Sequence, residues 1–167
     1  CPLHRARTQA VPGQGHPHPD ILFVGEGPGA DEDRQGLAFV GAAGHLLTKM
    51  IAAMGLTRDE VFIANIVKCR PPGNRAPQPE EAAACLPFLL DQIAILQPRV
   101  IITLGATALK YLIGQDQASV TRMRGTWLTV RGIDLMPTFH PAFLLRQPAR
   151  KREAWEDLKA VLARLGR

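Results

Sequence analysis

Three separated stretches carry residue types that do chemistry when brought together: GEGPGADED (25–33), ANIVKCRPPGNR (64–75) and HPAFLLRQP (140–148). In the first, Gly25, Gly27 and Gly29 permit tight turning and close backbone approach, and Asp31, Glu32 and Asp33 follow. Those acids would repel a phosphate, so the loop suits a neutral or cationic ligand, or a water awaiting activation. Phe39, in GLAFVG (36–41), stands among small residues and offers a ring that can stack on a flat ligand such as a nucleobase. Asn65 closes the apolar run VFIAN (61–65). Its amide holds one acceptor and two donors, enough to read a base edge that presents a carbonyl beside an N–H, as uracil does. In the third stretch His140 can donate to a developing oxyanion. Leu144, on an exposed turn, can wedge into a base stack. Arg146, Arg150 and Lys151 can hold phosphates. Each residue also has an ordinary reading: a glycine turn with a solvated acidic tip, a core Phe, an Asn tying down a turn, a His-Pro helix start over core leucines. Taken singly, each ordinary reading is the better one; the combination is what points to chemistry.

The three cysteines, Cys1, Cys69 and Cys85, are an odd number and argue against a disulfide framework. Buried thiols or a metal site with a further ligand remain open. Cys69 heads the CRPPGNR loop and is separated from Cys85 by fifteen residues. A net charge of +5, concentrated near both ends of the chain, favours a polyanionic partner. No apolar run is as long as a membrane span, and the 46% hydrophobic and 21% charged composition is that of a globular domain.

Strands and helices must place these stretches. ILFVG (21–25), VFIANIV (61–67) and VIITLG (100–105) read as buried strands. Helices are expected over 44–54, 78–96, 105–113 and 152–165, and 127–139 reads as a hairpin turning at Arg131-Gly132 or as a strand return. PGQGHPHP (12–19) reads as a surface loop. Strands alternating with helices imply an α/β fold whose parallel sheet is covered on both faces. Such sheets carry their sites at the carboxyl ends of strands, which sends all three stretches to one rim. The length of 167 residues fits a single domain, 1–167.

Together, CPLHRART (1–8), GEGPGADEDRQGLAFVGAAGHLL (25–47), NIVKCRPPGNRAPQPEEAAAC (65–85), LGATA (104–108), MRG (123–125) and TFHPAFLLRQPARKREAWEDL (138–158) resemble the iron–sulfur uracil-DNA glycosylases, family 4 of their superfamily. The resemblance covers nearly the whole chain. It implies a three-layer α/β/α sandwich around a four-stranded parallel sheet, and a monofunctional glycosylase that flips uracil from DNA and hydrolyses its glycosidic bond, the first step of base excision repair. It carries catalytic roles to Glu26, Glu32 and His140, substrate binding to Gly25, Gly27, Phe39 and Asn65, and strand contacts to Leu144, Arg146, Arg150 and Lys151. Gly27 stands where better-known relatives keep a water-activating Asp. The resemblance also implies a structural [4Fe–4S] cluster on Cys1, Cys69 and Cys85, with the fourth cysteine expected three residues upstream of Cys1. The implied partner is uracil-containing DNA, single- or double-stranded, met by a cytoplasmic monomer on nucleoid DNA. Two alternatives stay open. A non-catalytic or covalently trapping relative would carry a basic insertion after the first motif, whereas DRQGLAFVG (33–41) runs straight on. A metal-dependent hydrolase on a similar sheet would use the acids at 31–33.

Overall fold

A computed structural model describes residues 1–167. Its strands and helices, in chain order, are β1 (Gln14–Gly15), β2 (Ile21–Gly25), α1 (Ala30–Gln35), α2 (Ala42–Ala53), β3 (Phe62–Asn65), α3 (Pro79–Leu96), β4 (Val100–Leu104), α4 (Ala106–Ile113), α5 (Val120–Met123), β5 (Leu128–Val130), β6 (Ile133–Thr138), α6 (Pro141–Arg146) and α7 (Lys151–Leu165). The two-residue period of the apolar runs decides the layers. Ile21 and Phe23 of β2 join Ile63, Val100 and Ile102 on one face, covered by Leu47 and Ile51 of α2 and Leu158 and Val161 of α7. Leu22 and Val24 point the other way with Ile66 and Ile101, against Leu89 and Ile93 of α3 and Leu109 of α4. Every residue of β2 and β4 is buried, as expected of parallel strands with helices on both faces.

The sheet runs β1-β3-β2-β4-β6-β5. Its four inner strands are parallel, and the two border strands pair antiparallel, β1 on β3 and β5 on β6. The expected four-stranded parallel sheet is thus the centre of a six-stranded mixed one. The β5–β6 hairpin turns at Arg131 and Gly132 with φ of 51° and 80°, the two positive values a tight two-residue hairpin turn needs. The segment 12–19, expected as a loop, contributes β1. At Gly15 it lies so close to the preceding end of β3 that a Cβ would sit 1.9 Å from the Val61 carbonyl oxygen.

Along each inner strand the chain runs from an amino rim to a carboxyl rim. At the amino rim, Asp20 before β2 pairs with Arg99 before β4 at 3.9 Å and with Arg167 after α7 at 3.3 Å. The acidic stretch expected as a turn forms α1 at the carboxyl rim, with Asp31, Glu32 and Asp33 in its first turn, where the helix dipole favours negative charge.

Candidate active site

The carboxyl ends of β2, β3, β4 and β6 surround a cavity of about 720 Å³, and Glu26, Glu32, Phe39, Asn65, His140 and Arg146 all border it. The three key stretches therefore meet, as the topology of the sheet requires. Gly25 makes the meeting possible. A Cβ there would lie 2.5 Å from both Asn65 Oδ1 and the Phe39 ring, so only glycine lets those side chains close on the strand end.

Asn65 ends β3, is 1% exposed, and its Oδ1 has no hydrogen-bond partner. A buried carbonyl oxygen left alone costs about 1–3 kcal/mol, so the site holds an acceptor in want of an N–H. Phe39 is buried at a left-handed φ of 52°, and its ring centroid lies 5.6 Å from that of His140. His140 caps α6. Its Nδ1 accepts the Ala142 backbone N–H at 3.0 Å, so the neutral ring carries its proton on Nε2. Burial pushes its pKa from 6.5 down to about 4; Arg146 adds to that push and Glu32 opposes it. The imidazole is thus an uncharged donor at neutral pH.

The two glutamates differ. Glu26 accepts a short hydrogen bond from the Thr107 hydroxyl at the start of α4. Glu32 is buried, and its oxygens accept backbone N–H groups from Val40 at 2.9 Å, Gly41 at 3.0 Å and Gly29 at 3.1 Å. It braces two loops, which leaves it poorly suited to activate water.

One expectation is corrected. Leu144 is 1% exposed and sits in the core with Pro141, so it cannot wedge into a base stack. A helix puts positions i and i+3 on one face, and the next residue turns outward: Leu145 is 45% exposed. Arg146, Arg150 and Lys151 are exposed, although Arg150 also pairs with Glu153 at 2.8 Å.

Cys1, Cys69 and Cys85 border a second hollow, of about 630 Å³, with Leu3, Arg7 and Lys68. Arg7 donates to Cys69 Sγ at 3.0 Å, and the Lys68 backbone N–H to Cys85 Sγ at 3.2 Å. Burial pushes the Cys85 thiol up in pKa, and the Lys68 backbone N–H pulls it down. No three His, Cys, Asp or Glu side chains are gathered as for one ion. A cluster, however, spreads its thiolates over separate irons, and three soft donors around one hollow beside two cations fit such a group.

Sequence reasoning missed three residues. Thr107 lies in the LGATA stretch and was readable as a hydroxyl just past a strand end. Buried Lys68 donates from Nζ to the Asn65 backbone carbonyl at 2.9 Å and to Gln92 Oε1 at 2.7 Å, and burial lowers its pKa to about 8. Arg75, on the CRPPGNR loop, borders the cavity while forking onto Glu81. Only the loop's basic residues hinted at this pairing.

A three-layer sheet with an aromatic ring, an orphan amide and a neutral imidazole at its carboxyl rim defines a class, and comparison agrees: the chain belongs to the uracil DNA glycosylase superfamily, whose model matches residues 12–159. A type-4 uracil-DNA glycosylase of Thermotoga maritima is 49% identical over 164 residues, covering 95% of this chain and 84% of that protein. Those of Pyrobaculum aerophilum and Sulfurisphaera tokodaii are 48% and 47% identical, covering 95% and 96% of this chain and 84% and 77% of theirs. Within the superfamily the chain falls in the type-4 branch. A DNA polymerase of Bacillus phage SP01 is 33% identical over 98% of this chain but only 17% of its own length.

Proposed function

We propose that this chain excises uracil from DNA, as a single domain acting as a monomer, and leaves an abasic site with the strand intact. The observation that carries the reading is the meeting of Phe39, the orphan Oδ1 of Asn65 and His140 around one cavity. In this reading the uracil is flipped out and stacks on Phe39. Asn65 Oδ1 accepts from the base N–H, and its amide donates to the neighbouring carbonyl. As the C1′–N1 bond breaks, its electron pair leaves on the base, and His140 Nε2–H steadies the oxyanion. Glu26, held by Thr107, faces the sugar. Its charge favours the cationic sugar and orients the water that adds to C1′, a task Gly27 cannot perform; the proton which that water sheds neutralises the departed uracil anion. Exposed Leu145, in place of buried Leu144, is the wedge, and Arg146, Arg150 and Lys151 grip the strand. No lysine borders the cavity, so Schiff-base chemistry and strand scission are not expected.

Cys1, Cys69 and Cys85 would hold three corners of a [4Fe–4S] cluster, which supplies thiolate cross-linking of the arm to the CRPPGNR loop and takes no part in bond cleavage. The setting proposed is the cytoplasm, on nucleoid DNA; separately, no helix is long and apolar enough to cross a membrane. The test is incubation with single- and double-stranded uracil-containing oligonucleotides. Base release with strand breakage only after alkali is expected. Absence of release refutes the proposal, and a band of DNA-linked protein on a denaturing gel would favour the trapping alternative.

A further inference from the structure

Phe39 holds a backbone conformation that a bulky side chain rarely adopts, so something outside it must fix the loop. The peptide unit between Phe39 and Val40 is gripped from both sides. Its N–H donates to Glu32 Oε1 at 2.9 Å, and its carbonyl accepts from Arg58 Nη1 at 3.0 Å. Arg58 Nη2 also donates to the Ala38 carbonyl at 2.6 Å, and Thr48 of α2 accepts from Nη1 at 3.2 Å. The start of α2 closes the third side: a Cβ on Gly44 would lie 1.9 Å from the Phe39 carbonyl oxygen. Arg58 itself does not border the cavity. It sits in a 3-10 turn at Arg58–Glu60, ahead of β3, and reaches the loop from behind.

We infer that Arg58 is a positioning residue for base recognition, whose planar fork, opposed by the Glu32 carboxylate, locks the left-handed turn that aims the Phe39 ring into the cavity. The inference rests on the stacking role of Phe39 proposed above. A guanidinium can bridge two adjacent carbonyls and keep its geometry, whereas an ammonium is a single flexible point of charge. Without the fork, the carbonyls of Ala38 and Phe39 turn toward other partners and the ring loses its place over the base.

The experiment compares Arg58→Met, Arg58→Lys, Phe39→Ala and the double variant R58M/F39A. The readouts are inhibition by free uracil, uracil release from DNA, and affinity for duplex containing a tetrahydrofuran abasic analogue, which offers no base to stack. Base stacking on an aromatic ring is worth enough that R58M should weaken uracil inhibition at least about fivefold. Abasic-analogue affinity should stay within about twofold of the parent. R58K should fall between the parent and R58M, and the double variant should match F39A within about twofold, because residues acting through one another do not add. Parental uracil inhibition in R58M beside a loss in F39A overturns the role of Arg58 alone. Losses that multiply in the double variant do the same, as does an equal fall in abasic-analogue affinity, which marks a general structural defect. Parental behaviour of F39A removes the stacking reading and this inference with it. If circular dichroism shows R58M unfolded, R58K decides: an intermediate loss of uracil inhibition supports the inference and a parental value overturns it.

Discussion

Asn65 illustrates a buried group kept at the expense of stability. Its orphan acceptor has no partner in the protein, and removing a polar atom that makes no bond relieves a cost of about 1–3 kcal/mol. Asn65→Ala is therefore expected to lower uracil release at least about a hundredfold, since sites built on hydrogen bonds discriminate sharply. Its melting temperature should stay level or rise; a clear fall would mean that Asn65 serves the fold instead. His140 makes a prediction in pH. Burial holds it neutral down to about pH 4, so the folded protein binds fewer protons than the unfolded chain between about 4 and 6.5. Stability drawn from this group falls as pH drops through that window, while the Nε2–H donor persists. The pH–rate profile of folded enzyme should carry no acid limb near 6.5, the ordinary histidine value; a limb there would show that the ring is freely solvated. At this scale the sequence was informative about which residues meet at the cavity, because Asn65 closes one readable strand, His140 follows another, and Phe39 stands among small residues just ahead of a readable helix. It was misleading where only a single residue of phase mattered. Leu144 and Leu145 are chemically identical, and only the turn of α6 decides which is buried.

At the scale of elements, the CRPPGNR loop owes its shape to the first turn of α3. Glu81 is buried at 5% exposure and accepts a fork from Arg75 at 2.8 Å on both oxygens, as well as the Gln78 backbone N–H. Arg75 chiefly, with Gln78, holds the Glu81 carboxyl down to about 2 against the opposing effect of burial. Because the folded value lies below the ordinary 4.5, the stabilisation is complete above 4.5 and is lost as pH falls toward 2. Glu81→Gln should lower the melting temperature at pH 7, and its deficit against the parent should narrow as pH falls from 4.5 toward 3. A deficit independent of pH would assign the effect to packing. Acidic residues in the first turn of α3 were visible in the sequence, but their partner six residues back was not, since no local periodicity links a loop arginine to a helix. The same limit hid Arg58, whose partners at Ala38 and Phe39 lie about twenty positions upstream and are backbone atoms. β1 escaped notice for the converse reason: Gly and Pro signal a turn, and the close approach Gly15 allows appears only when β3 is beside it.

For the molecule as a whole, pattern sufficed for the inner sheet and its two helical layers, because burial on both faces of β2 and β4 leaves unbroken apolar runs. Charge is distributed to match. Arg146 stands at the mouth of the cavity, with Arg150 and Lys151 exposed close by in sequence, so binding to DNA should weaken steeply with salt. Arg146→Ala should flatten the slope of log affinity against log salt by about one and weaken binding alike for uracil-containing and undamaged duplex. A loss confined to uracil-containing DNA would place Arg146 in base recognition.

The exposed ion pairs of Asp20 with Arg99 and Arg167 lie at the amino rim, the opposite end of the strands from the cavity, and none of the three borders it. A reporter carried at Asp20 or Arg99 would stand on the far side of the sheet from the cavity, leaving the carboxyl rim clear.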